Sequence, residues 1–116
     1  MFGVCQCNCV IEADGGMYPC DFYVLDEWKL GNIMEQSIED MLESETAKSF
    51  INSSMIISKE CKSCRWYRLC RGGCRRDCEP LSQDQSRSNY FCSDYKSFFE
   101  YAFDRLAHVA NIVSIP

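Results

Sequence analysis

Ten cysteines in 116 residues constrain this chain more than any other feature of it. Four of them form one run, Cys61-x2-Cys64-x5-Cys70-x3-Cys74, and Cys92 follows after seventeen intervening residues. A Cys-x2-Cys pair lets a tight turn aim two sulfurs at one small ion or cluster. Cys70 and Cys74 are four apart, so on a helical turn they would share a face. Gly72 and Gly73 between them let the backbone approach and turn N–H groups toward sulfur. Five thiolates are one too many for a single four-coordinate site. Upstream, Cys5-x9-Gly15-x4-Cys20 adds two more around a glycine turn, and the count then suits two sites.

The start, Met1-Phe2-Gly3-Val4-Cys5, has neither the basic nor the apolar region of an export signal. A cytoplasmic, reducing location is therefore expected, where clustered cysteines bind metal more often than they pair. That argues against a disulfide framework. On ligand chemistry alone, two structural zinc sites and two iron–sulfur sites fit equally well.

Composition narrows the field further. The length suits one domain. With 47% hydrophobic and 25% charged residues it is neither a disordered tail nor a membrane protein, and no apolar stretch could span a bilayer. A net charge of −5 disfavours nucleic acid and anionic lipid as partners. Residues 1–58 hold ten acids against Lys29 and Lys48, whereas residues 59–78 hold seven bases against Glu60 and Asp77. The basic block is also the cysteine block. Cations there would offset the negative charge of a thiolate-held metal. The rival is a zinc-stabilised peptide or nucleic-acid module using Trp66-Tyr67 beside those cations.

The pattern predicts a small α+β metal-cluster domain. Val10–Ala13 and Met17–Cys20 flank Asp14-Gly15-Gly16 and read as a β-hairpin, with Pro19 keeping its second arm at an edge or ending it. Residues 21–36 look irregular. Ser37-Ile38-Glu39-Asp40 opens a short helix through about Glu43, and a second runs from Glu45 to Ile51. Cysteine-rich turns occupy 61–80, and Leu81–Ser88 reads as a loop. Phe91, Tyr95, Phe98, Phe99, Ala102, Leu106, Val109 and Val113 mark one face of a long C-terminal helix, expected to be the main apolar face of the core. His108, alone on that helix, reads as a surface or packing residue.

Four segments carry a family resemblance: 11–23 around Asp14-Gly15-Gly16 and Cys20-Asp21-Phe22-Tyr23, Leu30-Gly31-Asn32-Ile33, Cys70-Arg71-Gly72-Gly73-Cys74-Arg75-Arg76, and Asn89-Tyr90-Phe91-Cys92. They resemble the C-terminal SPASM domain of radical SAM enzymes, in the anaerobic sulfatase-maturating branch, across nearly the whole chain. The resemblance implies that residues 1–116 are a single auxiliary-cluster domain holding two 4Fe–4S clusters, the C-terminal part of a longer enzyme. It assigns Cys61, Cys64, Cys70 and Cys92 to the cluster farther from the catalytic centre, and Cys5, Cys20 and Cys74 to the nearer one. The family's fourth ligand to the nearer cluster would precede Met1. Either the chain is a piece of a longer protein, or Cys7 or Cys9 substitutes. Cys7, Cys9 and Cys78 have no place in the pattern.

The Cys-x3-Cys-x2-Cys triplet of a radical SAM barrel is absent from this sequence. S-adenosylmethionine and a third cluster would belong to that barrel, and the isolated chain is expected to be inactive. Implied partners are the barrel of the same enzyme, a sulfatase polypeptide whose cysteine or serine becomes formylglycine, and an electron donor such as ferredoxin or flavodoxin. Asp21, beside Cys20, is the implied general base that takes the substrate proton; without the resemblance it reads as an ordinary loop or capping acid. Another peptide-modifying SPASM branch would use the same clusters on a different target.

Overall fold

A computed structural model describes residues 3–81, 86 and 88–113. The predicted hairpin forms between β1 (Val10–Ile11) and β2 (Gly16–Tyr18), antiparallel, with Val10 opposite Tyr18 and Ile11 opposite Met17. Gly15 sits at φ 84°, and Asp14 Oδ1 accepts the Gly16 N–H at 2.8 Å to close the turn. Pro19 ends β2, which is the central strand and not an edge. β3 (Gly31–Asn32) pairs on its other side, where an irregular segment was expected. Glycine and asparagine are poor strand formers, and this pairing is set by tertiary contacts. Asn32 Nδ2 donates to the Asp14 carbonyl, while a Cβ on Gly31 would meet the Met41 sulfur at 2.7 Å. The rest of 21–36 contains two 3-10 turns, Asp21–Tyr23 and Asp26–Trp28.

Serine caps start the short helices. Ser37 Oγ accepts the Asp40 N–H ahead of α1 (Ile38–Leu42), and Ser44 Oγ accepts the Ala47 N–H ahead of α2 (Glu45–Ser53). Met17, Leu30, Met41 and Ala47 make the core between sheet and helices, with Cys7 and Cys9 packed against it. Phe50 of α2 is fully buried and meets Tyr23 and Trp28 edge-on.

The cysteine-rich turns contain two more helices, α3 (Lys59–Ser63) and α4 (Tyr67–Cys70), and a 3-10 turn at Arg75–Cys78. The long helix forms as α5 (Cys92–Val113). Its expected role as the core's main apolar face does not hold: none of its residues is buried, and Phe98, Leu106, Val109 and Val113 stand exposed. Trp66 packs on its first turns, lying 6.0 Å from Phe99 and 5.4 Å from Phe103 between ring centres. His108 is exposed, as expected of a surface residue. Most of the expected Leu81–Ser88 loop lies outside the described residues. No helix among the described residues is long and apolar enough to cross a membrane.

Candidate metal centres

All ten cysteines remain thiols. Seven of them line two separate cavities, and a helix end explains the division.

The first cavity is bounded by Cys61, Cys64, Cys70 and Cys92. Ser58 Oγ caps α3 by accepting the Cys61 N–H at 3.2 Å. Cys64 leaves that helix in an extended conformation, its N–H still bonded to the Cys61 carbonyl, so both sulfurs converge on one side. α4 then delivers Cys70 at its last position. Arg71 follows in the left-handed region at φ 51°, and Gly72 and Gly73 continue at φ 83° and 70°. In this turn the Gly72 N–H donates to Cys70 Sγ at 3.3 Å. Cys92 opens α5, placed by Asn89: Oδ1 accepts the Phe91 N–H at 2.8 Å, and Nδ2 donates to the Gly72 carbonyl at 3.1 Å. Burial pushes the Cys70 thiol pKa up; the Gly72 N–H opposes this, and Cys61, Cys92 and Cys64 add to it. The gap is narrow, about 20 Å³ open to the centre of a water molecule.

The second cavity is bounded by Cys5, Cys20 and Cys74 with Gln6, Phe50 and Arg75, and offers about 320 Å³ on the same measure. The Cys5 N–H donates to Ser54 Oγ at 2.8 Å, and the fully buried Ser54 anchors itself to the Ile51 carbonyl. Cys20 precedes the 3-10 turn at Asp21–Tyr23, and its thiol donates to the exposed Asp21 carboxylate at 3.3 Å. Burial pushes the Cys20 thiol up, with Asp21 and Cys74 adding to it.

Cys70 and Cys74 therefore do not share a helical face. α4 ends at Cys70, and the left-handed turn carries Cys74 to the other cavity. The cations do less for the thiols than their sequence positions imply. Arg65 and Arg76 are exposed and stack on Trp66 and Phe22, at 4.5 and 4.4 Å from the ring centres. Cys7 and Cys9 face the core and line neither cavity. Cys78 is buried, and its thiol donates to the Cys74 carbonyl at 3.3 Å and the Gly72 carbonyl at 3.6 Å.

No three His, Cys, Asp or Glu side chains among the described residues converge tightly enough to hold a single metal ion. A lone zinc, bonded at about 2.3 Å, would draw its tetrahedral sulfurs to about 3.8 Å from one another. The iron–sulfur cluster-binding SPASM family matches residues 4–75, which hold every lining cysteine except Cys92. The chain belongs to the SPASM family.

A cysteine-type anaerobic sulfatase-maturating enzyme of Clostridium perfringens is 50% identical over 111 residues, covering 96% of this chain and 30% of that enzyme. A serine-type counterpart from Bacteroides thetaiotaomicron is 32% identical over 94 residues, covering 79% of the chain and 23% of the enzyme. The solved structure of native anSMEcpe with bound AdoMet and Cp18Cys peptide superposes with a TM-score of 0.90 at 48% identity, over 97% of this chain and 31% of that one. The chain thus spans less than a third of the length of those relatives, 23% to 31%.

The residues of the SPASM domain suit an iron–sulfur group by donor chemistry: soft thiols, a backbone N–H aimed at one sulfur, and glycines where the chain approaches. In the first cavity the thiols must part to admit anything larger than one or two water molecules. Sequence reasoning missed Asn89, Ser54 and Arg75 as supports. Asn89 alone had a local signal, an Asx-turn residue three positions before a cysteine that starts a helix.

Proposed function

We propose that this chain is the auxiliary-cluster domain of a radical SAM sulfatase-maturating enzyme, acting on a sulfatase cysteine. What carries the reading is the division of seven cysteines between two cavities, together with 50% identity to an enzyme of that named activity. The higher identity to the cysteine-type relative than to the serine-type one favours cysteine as the residue modified. Residues 1–116 form one domain in this reading. Cys61, Cys64, Cys70 and Cys92 hold one 4Fe–4S cluster; Cys5, Cys20 and Cys74 hold a second, and the packing of half-buried Cys7 and Cys9 against the core disfavours either as its fourth ligand. When bound, such a cluster supplies a one-electron acceptor or donor.

Asp21 is the general base. A substrate radical left by hydrogen removal at Cβ must lose one electron and one proton, and Asp21 is an exposed carboxylate beside Cys20, able to hold that proton. S-adenosylmethionine, a third cluster and the hydrogen abstraction belong to the barrel of the same enzyme. The reading carries with it a cytoplasmic location, where clustered thiols stay reduced, and a ferredoxin- or flavodoxin-type electron donor.

The test uses the full-length enzyme and a sulfatase-derived peptide. Asp21→Asn keeps shape but removes the base, so formylglycine formation should slow by about two to four orders of magnitude while 5′-deoxyadenosine still forms. Formylglycine at the wild-type rate would return Asp21 to an ordinary loop carboxylate. Loss of both products together with iron would make it a support of the cluster fold.

A further inference from the structure

Arg75 follows Cys74 directly and lines the three-thiol cavity, yet only 5% of it is exposed. Its guanidinium carbon lies 4.9 Å from the ring centres of Tyr23 and Trp28 and 5.2 Å from that of Phe50. Nη1 donates to Ser53 Oγ at 2.7 Å and to the Phe50 carbonyl at 3.4 Å, and Nε donates to Glu79 Oε1 at 3.4 Å. Glu79 itself is 39% exposed and borders the groove on the other side of Arg75, away from the thiols. The same end of α2 holds Cys5 through Ser54. One helix end therefore fixes a cysteine and a buried cation on the wall of one cavity. Among the described residues the four-thiol cavity has no buried counterpart; the cation on its wall is Lys96, which is exposed.

We propose that Arg75 is a positioning residue that raises the reduction potential of the iron–sulfur group held by Cys5, Cys20 and Cys74. The proposal rests on the assignment of a cluster to those thiols. Reduction adds one electron, so a fixed positive charge nearby stabilises the reduced form. Aromatic faces keep water from the guanidinium, so its field is screened less than that of the exposed arginines. Glu79 offsets part of the charge from outside the cavity. A cluster so tuned is the better electron acceptor of the two.

The experiment is an EPR-monitored redox titration of the full-length enzyme, anaerobically reconstituted with iron and sulfide. In Arg75→Gln, the equilibrium constant for reduction of the three-thiol cluster should fall at least tenfold, about 59 mV for one electron, with the four-thiol cluster unmoved. Glu79→Gln removes the counter-charge but keeps an amide oxygen able to accept from Arg75 Nε and the Tyr23 hydroxyl, so it remains informative where Arg75→Gln loses iron. It should shift the same cluster the opposite way. A purely structural role would lower cluster content without opposite shifts in potential. A three-thiol signal that stays put in Glu79→Gln, or moves the same way in both variants, overturns the proposal. A wild-type enzyme with no second auxiliary signal would instead remove the cluster assignment beneath it.

Discussion

The four-thiol cavity is assembled from one stretch of chain and the first turn of α5, whereas the three-thiol cavity gathers residues from three distant segments. Cys61, Cys64 and Cys70 come from consecutive short helices whose caps aim the sulfurs, and Asn89 brings Cys92 to them. Cys5, Cys20 and Cys74 meet only because the hairpin, α2 and the Gly72-Gly73 turn are already packed. The first is narrow and has all its thiols within reach; the second is wide and has three. Both sites lean on a buried polar support, Asn89 at the first and Ser54 at the second, but only the first draws three of its thiols from one run of local spacing.

The widest gap between the two regions should appear on removing metal. The three-thiol cavity is walled by the fully buried Phe50 of α2, and the sheet and helices that carry it also hold the apolar core of Met17, Leu30, Met41 and Ala47, which needs no metal. Among the described residues that line the four-thiol cavity, only Trp66 is a buried large apolar one. Metal-binding free energy there is folding free energy. In reduced, chelator-treated protein, amide exchange protection in 58–78 should be lost almost completely, while β2, α1 and α2 keep most of theirs. Equal loss in both regions would erase the distinction.

Asn89→Ala comes next. It leaves the buried Gly72 carbonyl only the weaker Cys78 thiol as a side-chain donor and frees the start of α5, costing about 1–3 kcal/mol. Because the Gly72-Gly73 turn feeds both cavities, denaturant unfolding should show the loss and iron analysis should show both clusters weakened. Ser54→Ala removes the acceptor of the Cys5 N–H, at about 1 kcal/mol. Its effect should fall on the three-thiol cluster alone, read as iron content after reconstitution. The smallest effect is expected from Cys9→Ala: the thiol packs against the core and lines neither cavity, so iron should stay at the wild-type count. A loss of iron there would make Cys9 the fourth ligand.

Legibility in the sequence followed the same division. The hairpin was readable from Asp14-Gly15-Gly16, the first short helix from its Ser37 cap, the second as the run Glu45 to Ile51, and α5 from its period, because each signal is local. β3 was not, since Gly31 and Asn32 owe their pairing to Met41, Asp14 and the hairpin turn. The α5 face was read correctly as apolar and wrongly as buried: periodicity reports which residues share a face, and nothing reports what lies opposite. The cysteine count implied two sites, and the residue spacing placed Cys70 beside Cys74. The family resemblance set the two apart, and the left-handed backbone after Cys70 is the physical reason that two thiols four residues apart line different cavities.

That divergence is the centre of the account, and one paired measurement tests it. The full-length enzyme would be prepared anaerobically as Cys70→Ser and as Cys74→Ser, with iron content and cluster EPR signals compared against wild type. Each variant should lose one auxiliary cluster, about four iron atoms, and keep the other, with different signals missing in the two. Loss of the same signal from both variants would contradict it, placing Cys70 and Cys74 on one cluster.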